Sequence, residues 1–244
     1  MPRNYLNGLN FRYNGKDIRR FVVSHNSKSI LSQISLYEER AKNVDLTWCS
    51  QIISILEKYN WKSEKISIND IGCNYGQLYK EIKKRSLQDK FDYFGYDHDN
   101  NFMEIGRKYF PEIKEKFIKL DIEKDAPKIS DISICSATFE HLDNPFKSLR
   151  NILQTTSKLF ILRTFVGSEN IDFVLNDKKC VDNPYNINQF NLFDLSEVFF
   201  EYDFDFCCLK DKATKSLTYE VGNCSDVFRQ FYIIVGNKSK SFNT

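Results

Sequence analysis

Apolar positions follow two rhythms along the chain. Before residue 60 they recur at helical spacing, predicting helices over roughly 29–43 and 45–60; in the second, Leu46, Ile52, Ile53, Leu56 and Tyr59 fall near one face. From residue 65 the rhythm shortens. Lys65 to Ile71 alternates apolar with polar residues and stops at Gly72, which reads as a strand. Residues 75–86 then read as a helix and 91–97 as a second strand. Asn101 with Glu104 marks a helix start, because a side-chain cap and a first-turn acid both favour the positive helix end. That helix is expected to end before Pro111. Short strands are predicted over 116–120 and 129–136, and Asn144-Pro145 opens the next helix. Leu159 to Arg163 is a fifth strand. Strands alternating with helices imply parallel pairing and right-handed crossovers, hence an α/β domain with helices on both sheet faces.

After residue 165 the alternation stops. Residues 166–191 carry six Asn and three Asp and read as a long loop. A helix is expected near 192–200. Two further strands, 202–209 and 227–235, are joined by a stretch without helical pattern, which predicts an antiparallel hairpin. The outline is one domain over 1–244. It comprises a helical extension or lid (1–60), a core (65–165), a substrate-side loop (166–191) and a C-terminal helix with hairpin (192–236).

The densest chemical signal is Asp70-Ile71-Gly72-Cys73-Asn74-Tyr75-Gly76, between a predicted strand and a predicted helix. Glycine there lets a ligand approach the backbone, and the helix start offers free N–H groups. Asp97 ends the next strand 25 residues beyond Gly72, where a carboxylate accepts hydrogen bonds from ribose hydroxyls. Asp121 ends the third strand and Ser136 the fourth. Each has an ordinary reading as a turn or cap; four such features at successive strand ends point jointly to a nucleotide-type site. Asn74 stands where a dinucleotide fingerprint has its second Gly, and its third Gly is also missing, so a ligand without a diphosphate is expected.

Charge and cysteines narrow the setting. Lys plus Arg is 35 against 33 acids, a net charge of +2, which argues against a protein built to coat nucleic acid. The first 28 residues are locally basic and are read either as a solvated tail or as a recruiter of an anionic molecule. Seven cysteines without a Cys-x-x-Cys pair read as reduced thiols, and three dispersed histidines give no metal motif, so no metal is expected. No apolar run approaches ~18 residues, and the first residues lack an apolar leader core. A cytoplasmic protein with no membrane partner is expected.

The run Asp70 to Gly76 resembles the D/E-x-G-x-x-x-G motif of the class I S-adenosylmethionine (SAM)-dependent methyltransferases. Gly95-Tyr96-Asp97 resembles that family's ribose-holding acidic motif, Leu120-Asp121-Ile122 its adenine-contacting motif, and Ile134 to Leu142 its fourth-strand segment ending in Glu-His-Leu. The resemblance covers roughly 65–165 and continues weakly to 236; Asn74 departs from it, since many members carry Gly there. It implies a Rossmann-like, seven-stranded, mostly parallel sheet with an antiparallel last strand. It implies SAM as cofactor, with S-adenosylhomocysteine as product, held by Asp70, Gly72, Cys73, Asn74, Gly76, Asp97, His98, Asp121, Ile122 and Ser136. It also implies methyl transfer to a small molecule, and the subtype it resembles acts on bacterial glycan and secondary-metabolite precursors.

Abstraction of a hydroxyl proton needs a base near the methyl group. His141, after the fourth strand, is the first candidate, although its tripeptide also serves as a helix entry. His25, in the extension, is the second; His98 reads as adenine-side packing, and Glu140, Arg163 and Thr164 as salt-bridge or cap residues. The expected reaction is O-methylation of a sugar-type or phosphorylated precursor. The competing readings are a non-catalytic SAM or nucleotide-binding module, an NAD-dependent oxidoreductase and a nucleic-acid methyltransferase. Asp143 to Phe146 and Asp182 to Tyr185 superficially resemble the aromatic motif of the last group, but both are displaced from the fourth strand and lack its second Pro.

Overall fold

The computed structural model describes residues 11–13, 16–18, 30–62, 65–175, 184–220 and 228–239. Seven strands form its main sheet: β1 (Ile66–Ile71), β2 (Phe91–Asp97), β3 (Phe117–Lys119), β4 (Ser130–Ser136), β5 (Thr156–Gly167), β6 (Phe204–Lys210) and β7 (Phe231–Lys238). Their order is β6-β7-β5-β4-β1-β2-β3. β1 to β5 pair in parallel, whereas β7 runs antiparallel to both neighbours. The hairpin expected at the C-terminus therefore forms, but the last strand inserts between β5 and β6 and leaves β6 at the edge.

Period-two side-chain placement builds two cores from one sheet. On β5, Leu159 and Ile161 join the cluster that includes Ile66, Ile68, Ile132 and Ile134. Their neighbours Phe160 and Leu162 join Phe139, Leu149, Ile152 and Phe199 on the opposite face. All residues from Leu159 to Val166 are buried, which is why this strand reads as a continuous apolar run. It is also longer at both ends than the 159–163 expected: polar Thr164 and Arg163 are buried within it and hide its extent from the pattern.

Helices α1 (Ile30–Asn43), α2 (Thr47–Glu57), α3 (Gln77–Lys84), α4 (Asn100–Tyr109), α5 (Pro145–Leu153) and α6 (Leu192–Glu201) cover the sheet. α4 is capped by Asp99, whose carboxylate accepts from Asn101 N–H, so Asn101 is the receiver of the cap and not the cap. Asn144 does occupy the position before α5, but its side chain makes no cap bond. α1 packs on α4, with Tyr37 against Phe102 at 4.8 Å between ring centroids. Lys80 of α3 donates to the Arg40 and Val44 carbonyls at the end of α1, both at 2.9 Å. Residues 166–191 carry more order than a plain loop: Val174–Leu175 pairs with Tyr185–Asn186, and Phe190–Asn191 adds a short parallel strand to β5. Within the basic N-terminal stretch, Phe11–Tyr13 and Lys16–Ile18 form an antiparallel pair.

Candidate functional site

The chain leaves β1 through a tight backbone turn. Gly72 and Cys73 both donate N–H bonds to the Tyr96 carbonyl, at 2.8 and 3.0 Å, fastening the turn to the end of β2. Gly72 has φ +72°, and a Cβ there would stand 2.0 Å from Thr138 Oγ1, so only glycine fits. Asn74 adopts φ +55°; its side-chain oxygen accepts from Tyr75 N–H at 2.8 Å, and its side chain shares a hydrogen bond with Tyr37 of α1. Gly76, at φ +81°, turns the other way: a Cβ there would meet Phe117 at 2.9 Å. Gly72 thus faces the carboxyl edge of the sheet, while Gly76 packs into the core and closes the turn through its N–H to the Cys73 carbonyl. Cys73 is buried, and its thiol lies against Gly95.

Asp97 forms the opposite wall. It is buried, with Oδ2 accepting from Asn74 N–H at 2.8 Å and Oδ1 from Asp99 N–H at 3.0 Å. A carboxylate oxygen has more than one acceptor site, so both retain capacity for hydroxyl donors. Asp70 lies deeper: its Oδ2 accepts from Tyr93 O–H at 2.7 Å, and burial pushes its carboxyl up to about 7. It supports the turn from below and does not reach the edge. His98 is exposed at the rim, 3.5 Å from Asp97. Asp121 caps its own turn through Glu123 N–H and pairs with Lys124, while Ile122 is buried beside Asn151, which donates to its carbonyl.

The end of β4 supplies the rest. Ser136 Oγ is buried and has no partner among the described residues, as is Glu140 Oε1. The other Glu140 oxygen accepts from Thr164 O–H at 2.9 Å. His141 Nδ1 lies 2.6 Å from the Asn186 carbonyl, and a carbonyl only accepts, so Nδ1 carries the proton. In the neutral ring Nε2 is then an open acceptor, 3.9 Å from Glu140 Oε1. Segment 184–190 holds this arrangement in place: Asn188 donates its N–H to the Glu140 carbonyl and its amide to the Leu142 carbonyl. Tyr185 packs edge-on to His141 at 5.6 Å. Beside it opens a groove of about 500 Å³ lined by Asp143, Phe146, Asn170, Asp172, Asn186 and Asn188 among others. Arg163 is committed elsewhere, in a buried pair with Asp211 at 3.0 Å.

The fold therefore brings Gly72, Cys73, Asn74, Asp97, Ser136 and His141 to one edge; it sets Asp70 and Gly76 beneath it and His98 and Asp121 at its rim. His25 lies outside the described residues. Tyr37, Thr138 and Asn186 carry no mark in the sequence: one sits in an ordinary helix, one follows a strand, and one is among six asparagines of a loop. The unpartnered Ser136 Oγ and anchored Asp97 fit a ribose-bearing ligand. No group of three or more His, Cys, Asp or Glu side chains among the described residues could hold a metal, and no described helix is long and apolar enough to cross a membrane.

Comparison with known proteins agrees with this geometry. Residues 69–158 match the family model described as a methyltransferase domain. A search of curated proteins finds no match. Among solved structures, the chain is similar to a TehB-like SAM-dependent methyltransferase from Corynebacterium glutamicum (14% identity, 86% of this chain and 97% of that one, TM-score 0.53). It is also similar to magnesium protoporphyrin IX methyltransferase from Synechocystis with bound SAM (13%, 89% and 87%, TM-score 0.52). A third is an O-methyltransferase family 2 protein from Planctomyces limnophilus in complex with apigenin (11%, 89% and 63%, TM-score 0.54). At these identities the likeness concerns the fold. The segment that matches the methyltransferase-domain model contains the glycine turn, the Asp97 wall and the β4 edge.

Proposed function

We propose that this chain binds SAM between Gly72 and Asp97 and methylates a hydroxyl group of a small polar metabolite, with His141 as general base. The observation that carries the reading is Asp97: a buried carboxylate, fixed by two backbone N–H groups, beside the glycine turn at the end of β1. Burial of such a charge is costly unless donors surround it, and ribose hydroxyls add two. Asn74 supports SAM over a dinucleotide, because its side-chain oxygen folds back onto Tyr75 N–H and engages a turn donor that a diphosphate would need.

When bound, SAM supplies an electrophilic methyl carbon. The protein's work is positioning and exclusion of water. α1 closes one side, where Tyr37 is buried against the Asn74 turn. His141 takes the hydroxyl proton at Nε2 as the oxygen gains the methyl group, leaving S-adenosylhomocysteine. Glu140 Oε1 stands 3.9 Å from Nε2. Within this proposal the acceptor is a sugar-type or phosphorylated precursor of a surface glycan or secondary metabolite; the amides and carboxylates of the adjoining groove support a hydroxylated partner. Buried free thiols at Cys49, Cys73 and Cys135 support a reducing, cytoplasmic setting.

Calorimetric titration with S-adenosylhomocysteine tests the reading. Wild type is expected to bind, and Asp97→Ala to bind more weakly by about 1–3 kcal/mol, the range for hydrogen bonds to a charged group. No binding by wild type, or equal affinity of the variant, overturns it.

A further inference from the structure

Three arginines are largely withdrawn from water, and two have acids. Arg163 pairs with Asp211, and Arg85 with Glu81 and Glu57. The third, Arg229, is only 6% exposed and has no carboxylate within ion-pair distance among the described residues. Its Nη1 donates to the Phe228 carbonyl at 2.9 Å and its Nη2 to the Ile187 carbonyl at 3.3 Å. Nε is buried with no hydrogen-bond partner among the described residues. Burial alone pulls its pKa below the ordinary arginine value, with no acid opposing it. A guanidinium has five N–H donors, and carbonyls engage two, so three remain. A buried charge without a counter-ion is costly, and this one is retained.

Its position gives that cost a use. Val166 at the carboxyl end of β5 donates to the Gln230 carbonyl, next to Arg229, so the guanidinium belongs to the edge that carries Ser136, Glu140 and His141. Thr164, which holds Glu140, faces Tyr232 across the β5–β7 pair, three residues from Arg229. At the rise of an extended strand that is about 10 Å. Arg229 and His141 also anchor consecutive carbonyls, those of Ile187 and Asn186. Unpartnered Ser136 Oγ and Glu140 Oε1 lie on the same edge.

We propose that Arg229 receives an oxyanion, a carboxylate or a phosphate, carried by the methyl acceptor. The planar fork suits either group, and it defines the substrate as a small anionic metabolite. That the anion belongs to the acceptor rests on the methyltransferase reading; the anion site itself does not.

The test is a titration of nitrogen-15-labelled protein with inorganic phosphate and, separately, acetate at constant ionic strength, following the arginine Nε–H signals. One signal, missing from Arg229→Gln, is expected to move saturably, with half-saturation in the range of about 1–10 mM. Phosphate or acetate should also raise the melting temperature of wild type and not of Arg229→Lys. The anion that binds more tightly names the group. Should Arg229→Gln not fold, the Lys variant assigns the signal. No saturable movement up to about 100 mM, or an equal thermal gain in the variant, overturns the site. S-adenosylhomocysteine calorimetry on the same sample separates the two readings. Nucleoside binding without oxyanion capture removes Arg229 alone. Oxyanion capture without nucleoside binding removes the methyltransferase reading and the assignment of the anion to its acceptor.

Discussion

A single proton position gives His141 its chemistry. The Asn186 carbonyl demands a donor, so the neutral ring presents an unprotonated Nε2 toward the open edge. His141→Ala is expected to lower turnover on the order of 10²–10⁴-fold while leaving S-adenosylhomocysteine affinity near wild type. Turnover assays with a confirmed acceptor, set beside calorimetry, check both halves; a loss under about tenfold returns His141 to a structural role. Gly72 is decided by two effects that point the same way: a left-handed backbone and contact with Thr138. Gly72→Ala should cost on the order of 1–3 kcal/mol of stability in urea unfolding. Thr138→Ala on that background should recover part of the loss, since it removes Oγ1 and Cγ2, the two nearest atoms, and leaves the Cβ contact and the backbone strain. Gly72 and Asp97 were legible because they recur, with Asp121 and Ser136, at the ends of successive predicted strands. Thr138 was not, because threonine is common there and its contact spans 66 positions.

At the level of elements, the junction of β5 with the C-terminal hairpin depends on Arg163. It pairs with Asp211 in the β6–β7 connection and lies 3.9 Å over the Phe231 ring, with Trp48 of α2 beyond at 5.8 Å. Asp211 in turn accepts from Thr214 N–H and O–H. Arg163→Met keeps most of the volume but strands a buried carboxylate, so we expect a loss of about 3–5 kcal/mol in chemical denaturation. Arg163→Met with Asp211→Leu should cost clearly less than the sum of the single changes, as expected for residues in contact. The sequence marked β5 over 159–163 and missed its two ends, where polar Thr156 and Thr164 are buried. The loop over 166–191 was legible only as polar. Its short strand pairs are set by partners across the fold, such as Phe190 beside Val166, and local pattern carries no such information.

Across the whole molecule, Asp70 couples stability to pH. Its native value is raised to about 7, first by burial and then by the charge of Asp97, with the Tyr93 hydroxyl acting against both. Between the ordinary carboxylate value and about 7, the native state keeps a proton that the unfolded chain has released. Stability from this group is therefore fullest in acid and falls as pH rises through that window. Asp70→Asn, which cannot ionise, should gain stability relative to wild type over the same interval; parallel pH profiles from denaturant unfolding would remove Asp70 as the cause. The alternation of strands and helices, the glycine turn and the acidic strand end were all determined by the sequence alone. Each depends on backbone propensities and side-chain periods acting over a few residues. Tertiary structure decided which glycine faces the ligand edge, which aspartate is reachable, and which nitrogen of His141 is free. It also decided which buried arginine lacks an acid among the described residues. Those properties come from contacts between residues far apart in the chain, and only the closed sheet brings them within hydrogen-bonding distance.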